Sequence, residues 1–210
     1  MRWIKTPWLV KKIFNTFIWD VPNNDNKIYL TFDDGPTPEI TTWVLNELKK
    51  HNAHATFFCI GANVAKNPDL FLQIITADHS IGNHTFNHLN GFNSSCKDYI
   101  NNVELFTSQL HDSHPTVKTT LFRPPYGKIK PSQATLLRKL GYQIVLWDVI
   151  SHDFDATISN EQCLKNATNK VAAGSIIVFH DSHKASEQLK YVLPKALDHF
   201  KKKGFVFAKL

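Results

Sequence analysis

Cysteine is scarce, with only Cys59, Cys96 and Cys163 in 210 residues. An odd, widely spaced set supplies neither a disulfide framework nor the paired Cys-x-x-Cys spacing of a zinc ribbon. Cys59 lies in an apolar strand-like run and reads as a small core residue. Long hydrophobic runs are missing too, and nothing approaches the ~20 apolar residues that a membrane-spanning helix needs. No Gly-x-Gly-x-x-Gly follows the first strand-like run, which removes the main signature of a dinucleotide fold. No internal repeat, low-complexity stretch or composition shift marks a second domain. What is there is one domain's length of ordinary globular composition. Lys and Arg number 24 against 18 Asp and Glu, a net charge of +6. The lysines are spread along the chain rather than gathered in a stripe with aromatics, so no nucleic-acid partner is expected.

The first twenty residues combine basic and apolar character. Arg2 and Lys5 followed by apolar residues resemble the start of a signal peptide, but Lys11 and Lys12 interrupt the apolar run. No small-residue cleavage site follows. Ile13, Phe14, Phe17 and Ile18 fall at helical spacing and predict a short amphipathic helix. Residues 1–26 are therefore read as a basic amphipathic extension packed on a domain of residues 27–210. A basic helix bearing tryptophan also suits a membrane surface, so peripheral membrane contact is a second expectation. Without a cleavable signal or a spanning helix, the expected location is the cytoplasm or the membrane periphery.

Strand signals fall over residues 28–32, 54–60, 79–83, 119–122, 142–147, 175–179 and 205–207. Helical patterns lie between them. The first is opened by Thr37 as N-cap with Pro38 and Glu39 in the first turn, and runs to about His51. Others begin at Pro68, Tyr99, Pro131, Asn160 and Ser186. Leu140-Gly141-Tyr142, Ala173-Gly174-Ser175 and Lys203-Gly204-Phe205 each read as a helix end, a left-handed glycine and a strand start. Such alternation calls for an α/β fold of parallel strands covered by helices, either a barrel or an open doubly wound sheet.

The chemistry gathers at strand ends. Ile28-Tyr29-Leu30-Thr31-Phe32 runs straight into Asp33 and Asp34, then into the turn formers Gly35 and Pro36. Two adjacent carboxylates at the end of a buried strand are costly unless a metal, a cation or a shared proton compensates them. His84 and His88 follow another strand at His-x-x-x-His spacing. Arg123-Pro124-Pro125-Tyr126 follows a third, Asp148 and Asp153 a fourth, and His180-Asp181 a fifth. In a parallel barrel these carboxyl ends share one face, where active sites are built. Two histidines plus a carboxylate from the first strand make three protein ligands with an open position, the arrangement of catalytic zinc.

Thr31-Phe32-Asp33-Asp34-Gly35-Pro36, His84-Thr85-Phe86-Asn87-His88 and Arg123-Pro124-Pro125-Tyr126-Gly127 resemble the first three motifs of the polysaccharide deacetylases. These are the NodB-homology domains of carbohydrate esterase family 4. The resemblance covers roughly residues 27–210 and implies a distorted (β/α)7 barrel. By the same resemblance Asp34, His84 and His88 hold one divalent metal, with zinc the default and cobalt or nickel the substitutes. Asp33 is then the general base, Arg123 steadies it and shapes the groove, and the Tyr126 peptide N–H helps form an oxyanion hole. Two further motifs depart from the pattern. Asp153-Phe154 stands where Asp-Trp is usual, with Asp153 supporting the catalytic histidine and Asp148 as the fallback. Val178-Phe179-His180 stands where Leu-x-His is usual, with His180 as general acid. Pro125, Tyr126, Phe154 and Val178 then line the substrate.

The implied activity is metal-dependent removal of N-linked acetyl groups from a glycan containing N-acetylglucosamine, peptidoglycan or chitin-like. A monomer acting on an N-acetylated glycan is expected, and the resemblance adds the cell envelope to the expected locations. Three rivals stand beside it. O-deacetylation of acetylated xylan uses the same machinery, a silent carbohydrate-binding module would use the groove alone, and a metal-independent amidohydrolase would have lost a ligand. Excess positive charge favours an acidic wall polymer through non-specific attraction.

Overall fold

The computed structural model describes residues 3–210. Apolar strands and amphipathic helices alternate much as their periodicity requires. The elements are α1 (Trp8–Ile13), β1 (Lys27–Asp33), α2 (Ile40–Lys50), β2 (Thr56–Cys59), α3 (Gly61–Lys66), α4 (Pro68–Thr76), β3 (Ser80–Asn83), α5 (Cys96–Ser113), β4 (Leu121–Phe122), α6 (Pro131–Lys139), β5 (Gln143–Ile144), β6 (Val149–Ile150), α7 (Asn160–Thr168), β7 (Ile176–His180), α8 (Ser186–Lys202) and β8 (Val206–Ala208). The strands form one sheet in the order β5-β4-β3-β2-β1-β7-β6, with β8 paired to the lower half of β1. Every strand pair is parallel. Curled and covered by helices, this is the barrel-type sheet that the alternation calls for.

Two layers of apolar packing follow from the period of two along each strand. On β1, Ile28, Leu30 and Phe32 face the helices, where they join Ile177 and Phe179 of β7 and the inward residues of α2 and α8 in the main core. Tyr29 points the other way, into a smaller interior cluster with Phe58, Val145 and Ile176. Thr31 and Asp33 share that inner side, as do Val178 and His180 of β7. The alternation therefore brings the polar members of both central strands into the barrel mouth.

Several boundaries differ from the sequence reading, each for a local reason. The run at 142–147 is not one strand. Gln143 and Ile144 pair with β4, and the chain then crosses over so that Val149 and Ile150 pair with β7. No helix lies between β5 and β6, so apolar periodicity alone could not separate them. Thr37 does not cap α2, because Glu39 in the left-handed region (φ 65°) is the residue preceding Ile40. Instead the Thr37 N–H donates to Thr41 Oγ1. Helix α5 begins at Cys96, earlier than expected, since Ser95 Oγ accepts the Asp98 N–H. The helical pattern of residues 13–18 is not realised either, as α1 ends at Ile13.

Residues 4–21 run along both free edges of the sheet. Lys5 bridges Val149 antiparallel, with the Ile150 N–H donating to the Ile4 carbonyl and the Thr6 N–H to the Asp148 carbonyl. Farther on, the Ile18 N–H donates to the Ile144 carbonyl and the Leu146 N–H to the Ile18 carbonyl. One segment thus occupies the edges of both β6 and β5, the two ends of the strand order. Unpaired backbone at both edges would otherwise invite pairing with another chain. Ile18 and Val21 also pack on the interior cluster. The left-handed Gly174 (φ 90°) completes the floor, where a Cβ would come within 2.7 Å of the Val21 carbonyl oxygen.

Candidate active site

Five strand-end loops converge on the mouth of the barrel, and β1 supplies its centre. Asp33 is the last residue of β1, in register with His180 at the end of β7. Arg123, just past β4, is fully buried and reaches across to it. Its Nη1 donates to Asp33 Oδ1 and to Thr31 Oγ1, both at 2.7 Å. Its Nη2 donates to the Leu146 carbonyl at 2.8 Å, and its guanidinium lies 4.1 Å from the Phe58 ring centroid. A buried guanidinium without such partners would be strongly unfavourable. Burial does press its pKa down, while the Asp33 carboxylate holds it up.

Asp34 turns out of the strand in the left-handed region, φ 83°, which swings its carboxylate away from that of Asp33 toward the histidines. His88 Nε2 lies 3.1 Å from Asp34 Oδ1 and His84 Nε2 lies 3.6 Å from it. Yet Oδ1 is buried and accepts no hydrogen bond. A buried carboxylate oxygen left unpaired between two ring nitrogens lacks a partner that a cation would supply. The three donor atoms lie within 4.8 Å of one another. His84 Nδ1 is 2.7 Å from the Arg123 carbonyl, which places the ring proton on Nδ1 and leaves the Nε2 lone pair facing Asp34. Burial, with help from neighbouring His88, lowers the His84 pKa to about 4 and keeps the imidazole neutral, the form that ligates. Asp34 is held below the ordinary carboxylate range, because His88, His180 and His84 together outweigh the opposing effect of burial. One carboxylate and two imidazoles facing one another fit a divalent ion of the zinc type.

On the other side of Asp33 stands His180. Asp153 Oδ1 is 2.7 Å from His180 Nδ1, and Asp153 Oδ2 accepts the His180 N–H at 2.8 Å. Burial works against the imidazolium, but the Asp153 charge and hydrogen bond prevail and raise the His180 pKa to about 9. Asp148, the alternative support, is elsewhere. It precedes β6 rather than ending a strand, and it binds Ser175 Oγ, Lys5 and Lys11 near the amino end of β7. The crossover between β5 and β6, with Asp148 just ahead of β6, accounts for this reversal.

Aromatic rings flank the two halves. Tyr126 sits at the left-handed corner of the Pro125–Gly127 turn (φ 60°), its exposed ring 4.6 Å from that of His88. Pro125 beneath it is buried. Phe154 meets the His180 ring edge-on at 4.9 Å. Lysines stand over both rings, Lys128 Nζ at 6.0 Å from the Tyr126 centroid and Lys184 Nζ at 5.6 Å from that of Phe154. Val178 is buried two residues below His180 on the same side of β7.

The sequence reading missed the supporting roles of three residues. Asp181, fully buried, accepts the Gly35 N–H through Oδ1 and the Thr41 hydroxyl through Oδ2. Burial and the nearby Asp34 charge push its carboxyl up to about 7 against those hydrogen bonds. A Cβ on Gly35 would lie 2.0 Å from Asp181 Oδ2, so glycine is what lets the two strand ends meet. Asn63, on the unforeseen helix α3, donates to the Asp34 carbonyl at 2.7 Å. Thr31 anchors Arg123 from mid-strand. The only available signal was a second carboxylate directly after His180.

Comparison with known proteins agrees with this geometry. The family model for polysaccharide deacetylase matches residues 20–145. A peptidoglycan-N-acetylglucosamine deacetylase of Bacillus cereus is 37% identical over 194 residues, covering 90% of this chain and 88% of the relative. A second protein of that name from the same organism is 31% identical over 209 residues, covering 99% and 74%. In structure the chain resembles the Bc1960 peptidoglycan N-acetylglucosamine deacetylase, crystallised with a naphthyl N-oxidanyl-benzamide. The TM-score is 0.83 at 29% identity, covering 98% of this chain and 95% of that one. With motifs, fold and sequence in agreement, the chain belongs to the polysaccharide deacetylase family, carbohydrate esterase family 4, and has its (β/α)7 barrel.

Proposed function

We propose that this protein is a metal-dependent deacetylase that removes N-linked acetyl groups from N-acetylglucosamine units of a wall glycan, peptidoglycan in the first instance. The observation that carries the reading is the unpaired, buried Oδ1 of Asp34 facing two imidazole nitrogens, with Asp33 and His180 on either side. Asp34, His84 and His88 would hold the ion, zinc by default, with cobalt or nickel able to replace it. When bound, the ion would polarise the acetyl carbonyl and make an associated water more acidic.

The remaining steps fall to the chain's own groups. Asp33 takes the proton of the attacking water, with Arg123 clamping its Oδ1 so that the carboxylate cannot swing away. The Tyr126 peptide N–H, at its left-handed corner, donates to the oxyanion as charge develops there. His180, protonated through Asp153 at neutral pH, gives its Nε2 proton to the departing amine, which is a poor leaving group without it. Acetate and a free glucosamine unit are the products. Val178 supplies apolar contact for the acetyl methyl, while Pro125, Tyr126 and Phe154 shape the sugar groove. Lys128 and Lys184 over the flanking rings favour a substrate that carries carboxylates, as peptidoglycan does.

Acetate release from peptidoglycan and from N-acetylglucosamine oligomers, with zinc and after chelation, tests the reading. Release that stops with chelator and returns with metal supports it. Binding of the glycan by the zinc-loaded protein without release would overturn it in favour of a carbohydrate-binding module.

A further inference from the structure

An amphipathic helix ordinarily turns its apolar stripe to the core. Helix α1 buries no residue at all. Trp8, Leu9 and Ile13 are 70%, 59% and 64% exposed, and the adjoining Phe14 is 48% exposed. Exposed hydrophobic residues scattered singly are normal, but contiguous ones mark a contact surface. Charge in this stretch is of one sign, since residues 1–19 contain Arg2, Lys5, Lys11 and Lys12 and no acid. The acids bonded to the segment, Asp20 and Asp148, are both taken by Lys11. Lys12 Nζ instead lies 4.9 Å from the exposed Trp8 ring centroid. The helix is firmly mounted, because the residues before it pair with β6 and Ile18 after it pairs with β5.

We propose that this patch docks the protein on an anionic lipid surface. Tryptophan and aliphatic side chains beside lysine match the chemistry of the headgroup layer, where apolar bodies sink and cations meet phosphate. The mounting also sets an orientation. Lys11 ties α1 to Asp148, which binds Ser175 at the amino end of β7, whereas His180 ends that strand five residues on, about 16 Å away. With α1 on lipid, the barrel mouth faces away from the bilayer, toward polymer.

Vesicle co-sedimentation of the full chain tests this, using phosphatidylcholine vesicles with and without phosphatidylglycerol. The expected result is salt-sensitive binding to the phosphatidylglycerol vesicles. A Trp8→Ser/Ile13→Ser variant should lose about tenfold or more in partitioning for each side chain, with unchanged acetate release and melting temperature. Lys12→Glu should lose most of the preference for anionic vesicles. Equal binding by the wild type and the double variant would overturn the proposal, as would no binding at all. A concentration-dependent dimer in sedimentation velocity, abolished in the double variant, would overturn it in favour of a second copy of the chain. The vesicle-binding, melting and sedimentation readouts do not require the deacetylase reading to hold.

Discussion

Replacing Asp153 with asparagine takes away the charge that faces His180. The two are joined at 2.7 Å through Nδ1, and the His180 imidazole rises from its ordinary 6.5 to about 9. That gap corresponds to about 3 kcal/mol of preference for the imidazolium in the folded state. The folded protein binds this proton more tightly than the unfolded chain. The resulting stability is therefore complete below pH 6.5 and disappears as pH rises through 9. Asparagine keeps the shape and can still accept from Nδ1–H through its one oxygen, but it removes the charge and turns an NH2 donor toward the His180 peptide N–H. Burial then acts unopposed by Asp153, and the midpoint should fall steeply toward or below 6.5. Proton NMR titration of the metal-free protein reads this directly, with the wild-type resonance moving near pH 9 and that of Asp153→Asn at least about two units lower. Turnover of the zinc-loaded variant should drop at pH 8 and recover in part at pH 6, where His180 regains its proton. A midpoint that stays near 9 in the variant would refute the assignment of Asp153 as the residue that charges His180.

Asp33→Asn should abolish acetate release while leaving metal bound, and near-normal turnover would remove Asp33 as the base. His84→Ala should purify without stoichiometric metal, which elemental analysis checks, because one of the three proposed ligands and its Arg123-oriented lone pair are gone. Arg123→Met should cost about 3–5 kcal/mol by denaturant unfolding, since it leaves the Asp33 carboxylate buried without its partner. A loss below about 1 kcal/mol would mean that water reaches and solvates Asp33 instead.

Periodicity made most of the fold legible. Strands β1, β2 and β7 are rich in β-branched and aromatic residues, and Gly141 and Gly204 adopt the left-handed conformation expected at helix ends, whereas α7 stops at Thr168 and the left-handed Gly174 lies in a turn beyond it. What escaped was decided by long-range pairing. Nothing local in Gln143-Ile144-Val145-Leu146-Trp147 signals that Ile144 belongs to β4's side and Val149 to β7's. Likewise, Ile18 has helical spacing with Ile13 and Phe14, but two backbone hydrogen bonds to Ile144 and Leu146 draw it to the sheet edge instead. A single turn of helix is unfavourable in isolation, so tertiary pairing prevails easily.

The candidate site was legible for a different reason. Asp33, Asp34, His84, His88, Arg123 and His180 are ionisable residues beside turn formers at strand ends, where solvent access and exposed backbone make room for chemistry. The residues that hold them in place carry no such signature. Asp181 reads as a second charge after His180, but its work is to gather Gly35 and Thr41 from a different loop across the β1–β7 pair. Asn63 reads as an ordinary polar helix residue, yet it fixes the carbonyl of Asp34. Asp148 shows the converse, since its charge and position suggested catalysis while its partners are two lysines and a serine near the opposite end of β7. Reactive groups are identified by what they are, and supporting groups by what lies opposite them once the strands are paired. The left-handed backbone at Asp34, Thr85, His88 and Tyr126 belongs to the second kind. Each is a non-glycine residue in a conformation that costs energy by itself, held there by the loops whose convergence forms the site.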